Sequence, residues 1–312
     1  MVDSKQQWKA WLYLSPAIVL LLVFTVWPII NTVRIAFLEG YNALEVLYGE
    51  QFSIGFGNFI SVLQYDDFMT CLGNTMLLTV LTVPLSTILA LLIAVALNSI
   101  KPLQKFLQTV FFLPYVTNSI AIGMVFAAMF NIIGLSPDGA RATSWGIINN
   151  VIMFFGGDPV NWLNARSAYA ANIAVMVIYI VWNALPFKIL ILLGGLQSIN
   201  KQYYDAARVD GTSKGRVLTK ITVPLLSPML AYVVITGFIG GFKEYSSIVG
   251  IFGDTMGPVG EDGKLNTMVG YIYDALPEMY YGIASAAALI LYAIMLVVTM
   301  INLQVSKKRV HF

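Results

Sequence analysis

The chain has 312 residues, 58% of them hydrophobic and only 11% charged, with a mean hydropathy of +0.77. Soluble domains carry roughly 25% charge, so this sequence cannot cover a water-facing surface. A cytosolic enzyme, an extracellular domain and a disordered scaffold are excluded, and the bilayer is the expected solvent. A net charge of +2 gives no reason to expect a nucleic-acid partner, Cys71 as sole cysteine allows no internal disulfide or cysteine metal cluster, and His311 as sole histidine excludes histidine-dependent catalysis.

A membrane helix needs about 20 apolar residues. Six stretches free of Asp, Glu, Lys and Arg are long enough: 11–33, 74–97, 109–133, 168–187, 221–242 and 283–305. Several hold proline (Pro16, Pro28, Pro84, Pro114, Pro186, Pro224, Pro228), which membrane helices tolerate. The first stretch is longer than a secretory h-region and runs into Pro28, Arg34 and Phe37 without a small-residue cleavage site, so it reads as an uncleaved span. The expectation is an all-α polytopic membrane protein with six transmembrane helices in one domain, residues 1–312.

Orientation follows from Lys and Arg placement. With both termini inside, the inner segments hold Lys5, Lys9, Lys101, Lys105, Lys201, Arg208, Lys214, Arg216, Lys220, Lys307, Lys308 and Arg309. The outer segments hold only Arg34, Arg141, Arg166 and Lys264, while Lys188 and Lys243 fall at or within span ends. The outer loops, about 34–73, 134–167 and 250–282, are rich in Gly, Asn, Asp and aromatic residues. Their WGIINN and DALPEMYYG stretches are expected to contact an external partner.

Residues 194–228 differ from the rest. They form the longest inner loop and carry five basic and two acidic residues. Gln202–Arg208 reads as a short helix, Gly211 as a turn that accepts positive φ, and Ser213 as the N-cap of a second helix through Ile221. Ala206 and Ala207 are small enough to let a partner backbone approach. Asp205, Arg208 and Asp210 offer charged contacts around them. Spacing alone leaves a docking surface and a plain solvated loop equally open.

The string DAARVDG at 205–211, followed by VPLLSP at 223–228, resembles the EAA loop of ABC importer permeases. Other blocks extend the likeness to the first permease of a carbohydrate-uptake pair: LSPAIVLLLVFTVWPIINTV, FGNFISVLQYDDFMTCLGNT, FFLPYVTNSIAIGMVFAAMFN and WNALPFKILILLGGLQSI. It covers about residues 11–305. Asp205 stands where the family has Glu, Thr212 where it has Ala, Asn200 where it favours Pro, and Leu218 where it favours Phe.

The resemblance implies a type I importer permease fold with a cytoplasmic coupling helix, multi-pass in the inner membrane. It places ATPase coupling on Tyr204, Asp205, Ala206, Ala207, Arg208, Asp210 and Gly211. It implies a homologous second permease, two cytoplasmic ATPases that bind ATP and Mg, and an external solute-binding protein that delivers a sugar. This chain needs no cofactor or metal of its own. It has no phosphate-cradling G-x-x-x-x-G-K-[ST] loop; GPVGEDGKL has the wrong spacing.

Carried over by position, the family's substrate-facing sites fall on Asn183, Phe187, Gly237, Gly240 and Gly241. Phe187 would stack on a sugar ring and Asn183 would bond its hydroxyls. The glycines either widen the path or let helices pack closely. Lys243 and Glu244 follow at the end of the fifth span, either as an outer gate or substrate contact or snorkelling to water. A polytopic membrane transferase would need acidic or histidine clusters at one membrane face, and an ion channel or secondary transporter usually carries intramembrane carboxylates or broken helices in repeated halves. Here the acidic residues are scattered over the outer loops, five of the six spans carry no ionisable residue, and Glu244 is the sole candidate in the fifth. Co-purification with ATPase subunits separates the importer from both.

Overall fold

The computed structural model describes residues 7–100, 104–134 and 144–309; Lys5, Lys101, Arg141 and His311 lie outside them. The chain is helical nearly throughout. Helix α1 (Gln7–Leu21) passes through a π-helical turn, Leu22–Val26, into α2 (Trp27–Ala36). Two short helices follow, α3 (Ala43–Leu47) and α4 (Gly57–Gln64), then the long α5 (Asp66–Ser99). Next come α6 (Gln104–Val116) and α7 (Ser119–Phe130). A strand pair, β1 (Ile132–Ile133) with β2 (Ser144–Trp145), is antiparallel with Ile132 opposite Trp145. Then follow α8 (Ile147–Phe154), α9 (Tyr169–Ser198), α10 (Lys201–Val209) and α11 (Lys214–Val217). A π-helical turn, Leu218–Thr222, links α11 to α12 (Val223–Leu225) and α13 (Ser227–Phe242). The last helices are α14 (Ser246–Phe252), α15 (Met268–Asp274) and α16 (Tyr281–Arg309).

Four helices are long and apolar enough to cross a membrane unbroken: Trp8–Ala36, Asp66–Ser99, Tyr169–Ser198 and Tyr281–Lys307. The other two expected spans are bent pairs, so six spans result only when each pair is counted as one. Residues 109–133 do not form one rod, because α6 and α7 meet at 98°. Asn118 takes an extended conformation and its Oδ1 accepts from Ile120 and Ala121 N–H, which starts a new helix. Likewise 221–242 is not one rod: the helix begins at Lys214 and turns by 71° between Leu225 and Ser227. Pro228 lies in the first turn of α13, where its missing N–H costs no helical bond.

The described chain divides into two compact units. The first comprises residues up to Phe68 together with Tyr271–Ala293. Here Asn58, 2% exposed, ties the chain that leaves α2: its Nδ2 donates to Ala36 and Leu38 carbonyls and its Oδ1 accepts from Gly40 N–H. Gly282 packs onto it, since a Cβ there would lie 2.8 Å from Asn58 Nδ2.

The second unit comprises Met69–Gly270 and the chain from Ile294. One of its cores gathers Leu78, Phe130, Met176, Tyr179, Ile248 and Leu265; another gathers Ala90, Ala94, Leu192, Leu196, Leu226 and Val233. Helices α7 and α14 cross at a pair of glycines, where a Cβ on Gly123 would lie 2.6 Å from Gly250 Cα. The buried face of α5 carries Thr75, Thr79, Thr82, Ser86 and Thr87. Each hydroxyl donates to a carbonyl four residues back, so these polar groups enter an apolar layer already satisfied.

Candidate functional site

The expected helix over Gln202–Arg208 is α10, one residue longer at each end. Asn200 starts it: its Oδ1 accepts from Gln202 N–H at 3.0 Å, a cap that proline could not supply. Gly211 stops it with φ +65°. Thr212 N–H reaches Ala207 O at 2.9 Å and Gly211 N–H reaches Arg208 O at 3.2 Å. These are the paired bonds of a Schellman stop, and only glycine meets the left-handed position without a Cβ penalty. Ser213 occupies the N-cap position of α11 but makes no side-chain capping bond, contrary to the expectation for it.

The two alanines of α10 do not share a face. Ala207 is turned inward and 5% exposed, whereas Ala206 is exposed, so of the pair only Ala206 is open to a partner. Tyr204 points back into the fold, its hydroxyl 3.3 Å from Thr222 Oγ1. Arg208 and Asp205 pair at 3.5 Å with side chains 81% and 65% exposed, a contact that adds little stability. Asp210 ends the helix as its C-cap and is exposed.

Asn183 and Phe187, one turn apart on α9, meet the α6–α7 break. Asn183 Nδ2 donates to Ser119 Oγ at 3.1 Å, and that hydroxyl lies 3.0 Å from the hydroxyl of Tyr179. Tyr179 also donates to the Ser119 carbonyl. The ring of Phe187 stacks on Tyr115, with centroids 5.8 Å apart and planes at 19°; Tyr115 is 52% exposed. Tyr115 and Ser119 thus join the amide and ring singled out from the sequence. Both lie within FFLPYVTNS, and the only sign of them there was their closeness to Pro114 and the capping Asn118.

The glycines of α13 lie elsewhere. A Cβ on Gly237 would lie 3.0 Å from Val83 Cγ1, and one on Gly241 would lie 2.7 Å from both Thr79 Oγ1 and Cγ2. These two pack against α5, one turn apart on each helix. A Cβ on Gly240 would meet nothing within 4 Å. Lys243 is the exposed C-cap of α13. Glu244 Oε1 accepts from Tyr245 N–H at 3.2 Å and Ser247 N–H at 3.1 Å, and its carbonyl accepts from Thr267. The carboxylate thus holds the start of α14.

Lys188 is not at a span end. It lies inside α9, 5% exposed, and its ammonium donates to Val83 O at 3.2 Å, Ser86 Oγ at 2.7 Å and Thr87 Oγ1 at 3.0 Å. All three N–H donors are used, and among the described residues no carboxylate pairs with it. The missing side chain of Gly237 makes room, since a Cβ there would lie 3.2 Å from Lys188 Nζ. Asn74 was likewise invisible as a link. Its Nδ2 donates to the carbonyls of Lys264 and Asn266, and its Oδ1 accepts from Tyr169 at 2.6 Å.

Residues 82–311 match the family described as binding-protein-dependent transport system inner membrane component. The chain belongs to this family. The arabinooligosaccharides transport system permease protein AraP of Bacillus subtilis (strain 168) is 30% identical over 301 residues, covering 95% of this chain and 88% of that protein. The lactose transport system permease protein LacF of Rhizobium radiobacter is 28% identical, covering 94% and 91%. A chain from the crystal structure of the bacterial alginate ABC transporter, in complex with alginate pentasaccharide-bound periplasmic protein, superposes with a TM-score of 0.78. It is 25% identical, and the match covers 98% of this chain and 96% of that one. As a permease of this family the chain is a membrane-embedded transport subunit, and the all-α importer permease fold expected from the sequence is present.

Proposed function

We propose that this chain is the permease subunit, the first of a homologous pair, of an ATP-driven importer for a sugar or oligosaccharide. An external solute-binding protein delivers the solute. Two ATPase subunits in the cytoplasm bind ATP and Mg and supply the work, and both termini of this chain face them. The observation that carries this reading is α10: a capped, glycine-terminated rod whose Ala206 and charged residues are exposed, joined within a few residues to α9 and α11. A lever needs stiffness within itself and a firm tie to what it moves, and α10 has both. Lysine and arginine excess in the same segment supports its cytoplasmic position.

The permease names among its relatives support a carbohydrate. Tyr115, Phe187, Asn183 and Ser119 offer what a sugar needs, an aromatic face beside amide and hydroxyl groups. Stacked as they are, the two rings cover each other; a sugar would take the place of one of them. Nucleotide binding shifts the pair of permeases between inward and outward states only by contacts that differ between those states, and α10 is where such contacts would be made. Gly240 lines the path in this reading, Gly237 and Gly241 set its wall, and Lys243 sits at its outer end.

Replacing Gly211 with valine tests the coupling. A β-branched residue at φ +65° costs roughly 1–2 kcal/mol and releases the Schellman bonds. The expected result in proteoliposomes is ATP hydrolysis that persists while sugar uptake falls, with Gly211→Asn much milder. Normal uptake by an inserted Gly211→Val protein would overturn the assignment.

A further inference from the structure

The flank of α10 that faces the ends of α5 and α9 borders a half-open cavity of about 610 Å³. Val95, Leu196, Val217 and Leu218 give its wall an apolar stretch, Asn98, Ser99, Tyr204, Thr212 and Thr222 add polar groups, and two cations, Arg208 and Lys214, border it. No carboxylate lines it among the described residues. Asp205, which pairs with Arg208, is itself exposed and leaves the Arg208 side chain 81% exposed. Lys214 is exposed and has no ion pair within 4 Å among the described residues.

We propose that this cavity is a binding site for an anionic phospholipid of the inner leaflet. The proposal rests on the cytoplasmic placement of α10 given above. The location fits, because α5 and α9 are membrane spans and end beside the cavity at Ser99 and Ser198. An apolar wall at the end of two spans lies where acyl chains meet headgroups, and basic pockets between spans on that side select anionic lipid. The phosphate faces Arg208, whose planar fork matches two phosphate oxygens, and Lys214 as a point charge. The acyl chain lies along Val95, Leu196, Val217 and Leu218. A free phosphate offers nothing to that wall, so the occupant is the whole lipid. Since Arg208 belongs to the coupling rod, lipid bound here stiffens the joint between rod and spans.

The test uses the assembled transporter in nanodiscs, with native mass spectrometry of retained lipid and the thermal midpoint as readouts. Phosphatidylglycerol is compared with phosphatidylcholine, for wild type, Lys214→Glu and the cavity-filling Val217→Trp. Wild type is expected to retain phosphatidylglycerol preferentially, and Lys214→Glu to lose about fivefold or more of that preference. Val217→Trp is expected to retain one fewer lipid with its charge unchanged. Equal retention by all three proteins overturns the proposal. So does a glycerol phosphate solution that reproduces the midpoint shift, or cross-linking of a cysteine at position 217 to an ATPase subunit, which would make that protein the occupant. The orientation is read separately, by labelling Ser213→Cys, in a protein whose Cys71 is replaced by serine, with a membrane-impermeant maleimide. Labelling from outside would overturn the orientation, whatever the lipid result.

Discussion

The rod α10 and the α5–α9 junction each carry a cation, and the two are held in opposite ways. Arg208 is 81% exposed and bonded to Asp205 three residues away at 3.5 Å. Lys188 is 5% exposed and bonded to oxygens more than a hundred residues earlier, on a different helix. Water solvates the first charge; only the fold solvates the second. An ammonium at membrane depth is expensive, and the three oxygens of α5 offset that cost with no counter-charge among the described residues. The difference separates a solvated helix surface from a packed joint between two spans. It also shows why bonds local in sequence suffice for the rod, whereas the joint needs two spans in register.

Substitutions at four positions sharpen or break this contrast, each followed by the thermal midpoint of the purified transporter. The largest loss is expected for Gly123→Val. Its Cβ would meet the backbone of Gly250 at 2.6 Å, so no rotamer change relieves it, and the cost lies at or above the upper end of the ~1–3 kcal/mol range for overpacking. Lys188→Met keeps the length but forfeits three charge-assisted bonds, for a loss of about 2 kcal/mol. An unchanged midpoint there would mean that the junction is held by packing alone. Asn200→Ala removes the cap of α10 at a cost of ~1 kcal/mol, and Asn200→Asp restores it. In detergent without anionic lipid, Arg208→Ala is expected to cost less than ~0.5 kcal/mol, since its one ion pair among the described residues is solvated. A larger loss would show Arg208 bound to something beyond Asp205.

Much of the helix inventory was legible because charge-free length and short-range signals decide it. Trp8–Ala36 and Tyr281–Lys307 follow from hydropathy. The breaks at Asn118 and Leu226 were not seen, because hydropathy continues across a bend and does not register a change of direction. The Asn118 cap and Pro228 mark both breaks once the geometry is known. The rod was read nearly to its boundaries, since Gly211 and the length of α10 depend on residues within one turn. Asn183 and Phe187 were singled out, while Tyr115 and Ser119 emerged only when the bend brought α6 and α7 against α9.

The sequence by itself determined the solvent, the fold class, the family and the stop at Gly211. The solvent, the fold class and the Gly211 stop depend on composition and on contacts between near neighbours along the chain; the family rests on the likeness of whole sequence blocks to known permeases. The tertiary structure alone decided that Ala207 faces inward, that Gly237 and Gly241 pack against α5 while Gly240 stays open, and that Lys188 is enclosed within the fold. A side chain's surroundings depend on which helix lies across from it and at what angle. Among apolar spans that angle is set by a few glycines, prolines and buried amides whose partners lie far away in the chain.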